Sequence, residues 1–268
     1  MADLTVRGAR LHYQRIGVPG GEPVVFLHGL VMDNLASWYF TVANAVAPRA
    51  DVLLYDLRGH GRSERPATGY TLADMVSDLL TLLDATFGSR PVHLVGNSFG
   101  GLLAVAFALA HPDRAASLSL VDAHLGDAGF GEQMASTLEL QGEERDRRIA
   151  ESFKDWVGRH SDRKRNRLAA SAEELVSRTS LVADMRSTRP LRAADLARLE
   201  APVLALYGEN SDLRARSDAL LAGVADCSVR VLPGCSHSIL WEATDAVREA
   251  IVDFIDRSSL GPQQASAE

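Results

Sequence analysis

Ser98 lies at the centre of Gly96-Asn97-Ser98-Phe99-Gly100. Serine is a poor nucleophile until a neighbouring base takes its proton. The flanking glycines permit a sharp turn without side-chain clash. Such a turn lifts the hydroxyl clear of the backbone and sets the Phe99 amide at the start of a helix. Of the eight histidines, His237 is best placed to act as the base. It closes Pro233-Gly234-Cys235-Ser236-His237, just past an apolar run. A third group should orient the imidazole. In the chain order serine, acid, histidine, the acid follows Val203–Tyr207, where the sequence reads Gly208-Glu209-Asn210-Ser211-Asp212. Asp212 is the first choice. Glu209, nearer the run, and Asp122, which ends an earlier run, are alternatives. A tetrahedral intermediate also needs amide donors aimed at its oxyanion. Phe99 supplies one, and Leu30 of His28-Gly29-Leu30 is assigned the second. His28 itself reads as a structural hydrogen-bonding residue in its turn.

Short apolar runs must position these groups. Val24–Leu27, Val52–Tyr55, Val92–Val95, Ser117–Val121, Val203–Tyr207 and Val229–Leu232 each stop at a glycine, aspartate, histidine or proline. Continuous apolar runs are what strands buried on both faces look like, as in parallel sheets. Leu11–Ile16 alternates weakly, as an edge strand would. Thr71–Phe87 carries Leu72, Met75, Val76, Leu79, Leu80 and Leu83 on one helical face, with Thr71 and Asp74 as a capping box. Leu102–Ala110 reads as a buried helix and Ala243–Ile255 as an amphipathic one. From about Leu125 to Leu196 the periodicity is helical throughout. The expected organisation is therefore an α/β core over 1–124 and 197–257. A helical cap over 125–196 sits at the carboxyl edge of the strands, where α/β proteins bind ligands. A frayed tail covers 258–268.

Composition bounds the class. Of 268 residues, 46% are hydrophobic and 24% charged, an ordinary globular mixture. With 28 Lys and Arg against 35 Asp and Glu, the net charge is −7. That makes the chain a poor default binder of nucleic acid or anionic membrane. The longest apolar stretch, Leu102–Ala110, is far short of the ~20 residues that span a bilayer. The amino-terminal residues show no basic flank followed by an apolar segment, so no signal peptide is read and a cytoplasmic location is expected. The two cysteines, Cys227 and Cys235, belong to no metal-type cluster. Neither a metal nor an organic cofactor is expected.

Together these residues resemble the α/β-hydrolase superfamily, from about Leu11 to Ile255. The resemblance is carried by His28-Gly29 followed by Ser37-Trp38, by Asp56-Leu57-Arg58-Gly59-His60-Gly61-Arg62-Ser63, by Gly96–Gly100, and by Gly234–His237. It implies the α/β-hydrolase fold: a mostly parallel central sheet, helices on both faces and a helical cap insertion. It also implies Ser98 as nucleophile, His237 as base and Asp212 as acid. Relatives usually place the acid three residues after the glycine matching Gly208. That position here is Ser211, and Asp212 is one later. Within Asp56–Ser63, Arg58, Arg62 and Ser63 read as parts of a scaffold turn. Dehalogenase and epoxide-hydrolase relatives carry aspartate where this chain has Ser98, which disfavours those activities.

The expected activity is serine-dependent acyl transfer from an ester or thioester, to water or to another acceptor. Gly96–Gly101 is also similar to the elbow of carbon–carbon bond hydrolases acting on ring-cleavage products, the second reading. A non-catalytic ligand-binding module on the same fold is the third. The segment Arg145–Arg167 holds nine basic and four acidic residues. A solvated helical face explains it. A docking surface for an acidic acyl carrier protein, a coenzyme A thioester or a carboxylate substrate is the sharper alternative.

Overall fold

The computed structural model describes residues 2–126, 128–140, 142, 144 and 162–259, apart from the side chains at 162–165, 216, 219 and 220. The expected tail, 258–268, therefore lies outside the described residues beyond Ser259. The basic stretch Arg145–Arg167 lies outside them as far as 161.

Eight strands form one sheet. They are β1 (Ala2–Val6), β2 (Ala9–Gly17), β3 (Glu22–Leu27), β4 (Ala50–Tyr55), β5 (Val92–Asn97), β6 (Ala115–Val121), β7 (Val203–Gly208) and β8 (Cys227–Leu232), in the order β1-β2-β4-β3-β5-β6-β7-β8. β2 pairs antiparallel with β1 and β4, and all other pairs are parallel. The apolar runs are continuous because both faces are covered. Val25, Leu27, Leu53, Leu94 and Leu118 face one cluster, with α1 (Leu72–Phe87) and α2 (Phe99–Ala110). The alternate residues Val24, Phe26, Val52, Leu54 and Val95 face the other. There they meet Trp38 and Val42 of a short helical segment and Val247, Ile251 and Phe254 of the last helix, Thr244–Ser259. α1 starts where Thr71 Oγ1 accepts from the Asp74 amide at 3.1 Å. The same hydroxyl donates to the Asp74 carboxylate at 2.6 Å, so the return bond of the expected capping box is made by the hydroxyl.

Two strands differ from the sequence reading. The weak alternation of Leu11–Ile16 predicts an edge strand. It lies one place inside the edge, because Arg7-Gly8 folds β1 back on it with both residues at positive φ. At the other side, the apolar run Val229–Leu232 predicts that β8 is buried on both faces. It is the sheet edge and is largely exposed.

Between β6 and β7 the chain leaves the sheet. Among the described residues this insertion holds α3 (Phe130–Leu138), α4 (Asp162–Arg178), α5 (Leu181–Arg186) and a turn at Ala193–Leu196, and no strand. Phe130, Leu175, Leu181 and Met185 join the apolar cluster of the core. Arg65 reaches Glu174 at 2.5 Å and Ser171 Oγ at 2.7 Å, and the Tyr70 amide donates to Asp184 at 3.0 Å. These contacts set the insertion over the carboxyl ends of the strands.

Candidate active site

Register brings the strand ends together. Leu27 pairs with Gly96, Asn97 with Val121, and Val121 with Leu206. The residues just past β3, β5, β6 and β7 therefore lie side by side. Ser98 takes φ 50°, ψ −120° in the tight turn between β5 and α2. A non-glycine residue in such a conformation costs about 1–3 kcal/mol and persists only where its surroundings enforce it. Here the Ser98 amide donates to the Val121 carbonyl at 3.0 Å. The turn is also too tight for side chains at its flanks. A Cβ on Gly96 would lie 2.3 Å from the Gly100 carbonyl oxygen, and one on Gly100 would lie 2.2 Å from that of Leu27.

His237 comes from the loop after β8. Glu242 accepts from both the amide and the hydroxyl of Ser236 at 2.6 Å, which clamps the residue before His237. Ser98 Oγ donates to His237 Nε2 at 3.1 Å, and His237 Nδ1 donates to Asp122 Oδ1 at 2.9 Å.

The carboxylate on His237 is thus Asp122, not Asp212. Asp122 directly follows β6, the strand beside Ser98's own. It is fully buried and held at φ 41°. Its other contacts are a 2.8 Å bond from the Gly208 amide to Oδ2 and a 2.6 Å bond from Ser211 Oγ to Oδ1. Ser211, at the position where relatives usually carry the acid, points at Asp122 and donates to it. The next residue, Asp212, is consequently turned outward, exposed on the wall of the cavity described below. Glu209 accepts from the Gly234 amide at 2.8 Å and so braces the histidine loop.

The loop after β3 approaches Ser98 from the opposite side. A Cβ on Gly29 would stand 3.6 Å from Ser98 Cβ. Two buried histidines brace this loop. His28 Nε2 accepts from the Leu57 amide at 3.0 Å, so its Nδ1 carries the hydrogen and donates to the Gly29 carbonyl at 2.7 Å. His60 Nε2 accepts from the Val31 amide at 2.8 Å. Burial, with His28 beside it, pushes the His60 imidazole down to about 3, so it stays neutral and keeps that acceptor. The Met32 amide donates to the Leu30 carbonyl at 2.9 Å around Val31 at φ 67°, a strained three-residue turn. Asp33 accepts from the Gly29 amide at 2.9 Å. Leu30 lines the cavity with Ser98. Phe99 opens α2, so its amide is among those a helix cannot satisfy internally. Neither Asp33 nor Glu242 stands out in the sequence. Each acts through backbone amides several residues away, and no motif spacing marks that.

The Asp56–Ser63 turn is scaffold. Asp56 accepts from the Leu35 and Arg62 amides, Ser63 Oγ donates to the Asp56 carbonyl, and Arg58 forks onto buried Asp78 with two 2.7 Å bonds.

Above Ser98 and His237 lies a cavity of about 450 Å³. Its wall is largely apolar, with Leu30 and Met32 from the core and Phe130, Met134, Leu138 and Val176 from the insertion. His124 also lines it, its ring 6.0 Å from that of His237. Among the described residues no cluster of three or more His, Cys, Asp and Glu side chains is arranged to hold a metal ion, and no helix is long and apolar enough to cross a membrane. Cys227 and Cys235 are free thiols, both pushed up by burial.

A serine hydrogen-bonded to a histidine at a strand–helix elbow, under a helical insertion on a mostly parallel sheet, points to one class of α/β protein. The family described as alpha/beta hydrolase fold matches residues 22–244, and this chain belongs to it. It is 30% identical over 264 residues to 2-hydroxy-6-oxononadienedioate/2-hydroxy-6-oxononatrienedioate hydrolase 2 of Pseudomonas putida, covering 92% of this chain and 91% of that one. Among solved structures it is similar to a hydrolase from Pseudomonas aeruginosa PA01, with TM-score 0.76, 25% identity, and 95% of this chain and 97% of the other covered. The enol-lactonase of Burkholderia xenovorans LB400 shares the fold, with TM-score 0.75 at 24% identity over 95% of this chain and 100% of the other. The chain is a hydrolase of this family.

Proposed function

We propose that this hydrolase cleaves an ester or thioester through an acyl-Ser98 intermediate. The observation that carries the reading is the unbroken line of hydrogen bonds from Ser98 Oγ through His237 to Asp122. In the first half, Ser98 Oγ attacks the carbonyl carbon as its proton passes to His237 Nε2. Asp122 holds the Nδ1 hydrogen and offsets the charge of the imidazolium. The Phe99 and Leu30 amides take the oxyanion. Collapse expels the leaving group, which receives the proton from His237. In the second half, His237 takes a proton from water as the water attacks the acyl carbon; collapse of that intermediate breaks the bond to Ser98 Oγ, which takes the proton back from His237. In this reading the insertion acts as a cap, and its apolar wall receives the longer chain of the substrate.

A carbon–carbon bond hydrolase is the second reading. It is favoured by the likeness to the Pseudomonas putida relative over nearly the whole chain. The two are separated by intact-protein mass after mixing with a fluorophosphonate and with a panel of short esters and acyl thioesters, beside Ser98→Ala. A phosphonate adduct and a transient acyl adduct in the wild type alone support the leading reading. A phosphonate adduct without any acyl adduct, and turnover of a vinylogous ring-fission diketone, supports the second. No adduct of either kind overturns both and leaves a ligand-binding module.

A further inference from the structure

The sheet ends differently at its two edges. At one, β1 carries Asp3, which is tied back to Arg10 at 3.3 Å and to His12 at 2.7 Å. At the other, β8 pairs only with β7. Two bonds give the direction of its backbone. The Asp226 carbonyl accepts from the Val203 amide at 2.9 Å, and the Leu232 carbonyl accepts from the Glu209 amide at 3.0 Å. Backbone groups along a strand alternate sides. Residues 226, 228, 230 and 232 therefore face β7, and the amides and carbonyls of Cys227, Val229 and Val231 point away from the sheet. Among the described residues nothing bonds to them. Natural sheets blunt such an edge with proline, a bulge or several charges. β8 has no proline, pairs with β7 without a bulge, and carries Arg230 as its one charge. Ser228, Val229 and Arg230 are exposed.

Two charges flank the middle of this edge. Asp226 and Arg230 stand two residues either side of Ser228 and so share one face. Both are exposed, and neither forms an ion pair among the described residues. Directly opposite residues of an antiparallel pair share a face, with Cβ atoms about 4.5–5.5 Å apart. A second copy related by a two-fold axis through Ser228 sets Asp226 against Arg230 of the partner subunit, and Arg230 against the partner subunit's Asp226. The outward groups of Cys227 then meet those of Val229 in the other copy, in both directions. An axis through Arg230 would bring two guanidinium groups together. An axis through Val229 would leave Arg230 opposite Ser228 and Asp226 opposite Leu232.

We propose that β8 is the interface of a homodimer, in which two copies pair antiparallel about Ser228 and join their sheets into one. The occupant is a second copy because the strand is complementary to itself, as a two-fold interface requires. The inference is independent of the acyl-Ser98 reading.

The test uses the full chain. Molecular mass is measured by sedimentation from about 1 to 100 µM protein, because a dimer obeys mass action. The wild type should dimerise within that range. Asp226→Arg and Arg230→Asp each turn two symmetry-related attractions into repulsions, so each should raise Kd by about 10-fold or more. The double variant restores both pairs and should return Kd to within about threefold of the wild type. Thermal unfolding checks that each variant folds. A cross-link fixes the register. Residues opposite each other between hydrogen-bonded positions have Cα atoms about 4.5 Å apart, within reach of a disulfide. With Cys227 and Cys235 replaced by alanine, Ser228→Cys should therefore cross-link two chains on mild oxidation. Val229→Cys, displaced from its own copy, should not. A wild-type monomer throughout the series overturns the inference and leaves the edge to another strand. A dimer indifferent to the single reversals, not restored by the double variant, or cross-linked through position 229 in place of 228 also overturns it. Should a reversal fail to fold, the wild-type mass and the cross-link at 228 decide.

Discussion

Replacing Asp122 by asparagine separates the two candidate acids. Asp122 Oδ2 receives the Gly208 amide, and Oδ1 receives both Ser211 Oγ and His237 Nδ1. Asparagine has one oxygen and one NH₂. The Gly208 N–H can only donate, so the asparagine oxygen turns toward it and the NH₂ faces His237. His237 Nδ1 must then accept, and its hydrogen moves to Nε2, opposite the Ser98 hydroxyl. The base is occupied before the reaction begins. Loss of the correct tautomer in a triad of this kind costs on the order of 10⁴ in kcat, about 5.4 kcal/mol of barrier. Asp212→Asn removes a carboxylate from the cavity wall and leaves the His237 bonds intact, so its kcat should stay within about threefold. The assay is hydrolysis of a chromogenic ester, with thermal unfolding to check that both variants fold. Asp122→Asn also turns an NH₂ toward Ser211, whose hydroxyl can rotate to accept, so its stability loss should stay near 1–3 kcal/mol. The reasoning fails if Asp212→Asn loses more than 100-fold in kcat while Asp122→Asn loses less than 10-fold.

Three further outcomes follow from packing and burial. Gly100→Ala should fold poorly or lose the elbow, because its Cβ would sit 2.2 Å from the Leu27 carbonyl oxygen; fluorophosphonate labelling of the soluble fraction should be nearly abolished, and wild-type labelling would refute this. Arg58→Met leaves buried Asp78 without its two 2.7 Å bonds. A broken buried pair costs about 3–5 kcal/mol, so Tm should fall by about 10 °C, and a change under 2 °C would count against the account. Burial holds the His93 imidazole down to about 4, whereas the unfolded side chain protonates near ~6.5. Acid therefore favours the unfolded chain. His93's contribution is whole above about pH 6.5 and is lost as pH falls toward 4, by roughly 3 kcal/mol at about 1.4 kcal/mol per pH unit. Tm measured from pH 7 to 4 should fall less in a folded His93→Gln variant than in the wild type, and parallel curves would be evidence against the assignment.

The legible parts of this chain are those where one residue type has one structural use. Apolar runs such as Val203–Tyr207 announce strands because both faces are covered, and that same burial leaves little room for another reading. β1 is invisible by this rule. Only Val6 of its five residues is buried, so its place depends on pairing with β2 across Arg7-Gly8. The acid was less legible still. Asp122 and Asp212 both follow strands whose ends lie next to each other, and chain order favours the later one. What decides between them is a single residue of phase in the turn after β7. The Ser211 amide donates to the Gly208 carbonyl at 3.1 Å, which points Ser211 inward and Asp212 outward. Sequence spacing carries no information at that resolution.

Placing the acid at the end of β6 also changes what the β7 loop is for. With Asp122 on His237, the loop meets the carboxylate through the Gly208 amide and the Ser211 hydroxyl, two donors that hold Oδ2 and Oδ1 in one orientation. Its remaining side chains are released from holding the histidine. Asp212 and Leu213 instead face the cavity shared with the insertion. Ser98 and Asp122 meanwhile take positive φ on neighbouring strand ends. Each such conformation costs about 1–3 kcal/mol. The same backbone neighbours offset both: the Ser98 amide bonds to Val121, the residue before Asp122, and the Asp122 amide bonds to Leu206 at 2.8 Å. Ser98 and Asp122 are thus fixed by one continuous piece of sheet across β5, β6 and β7. The histidine is the only one of the three that arrives on a loop, and Glu242 and Glu209 brace that loop from either side.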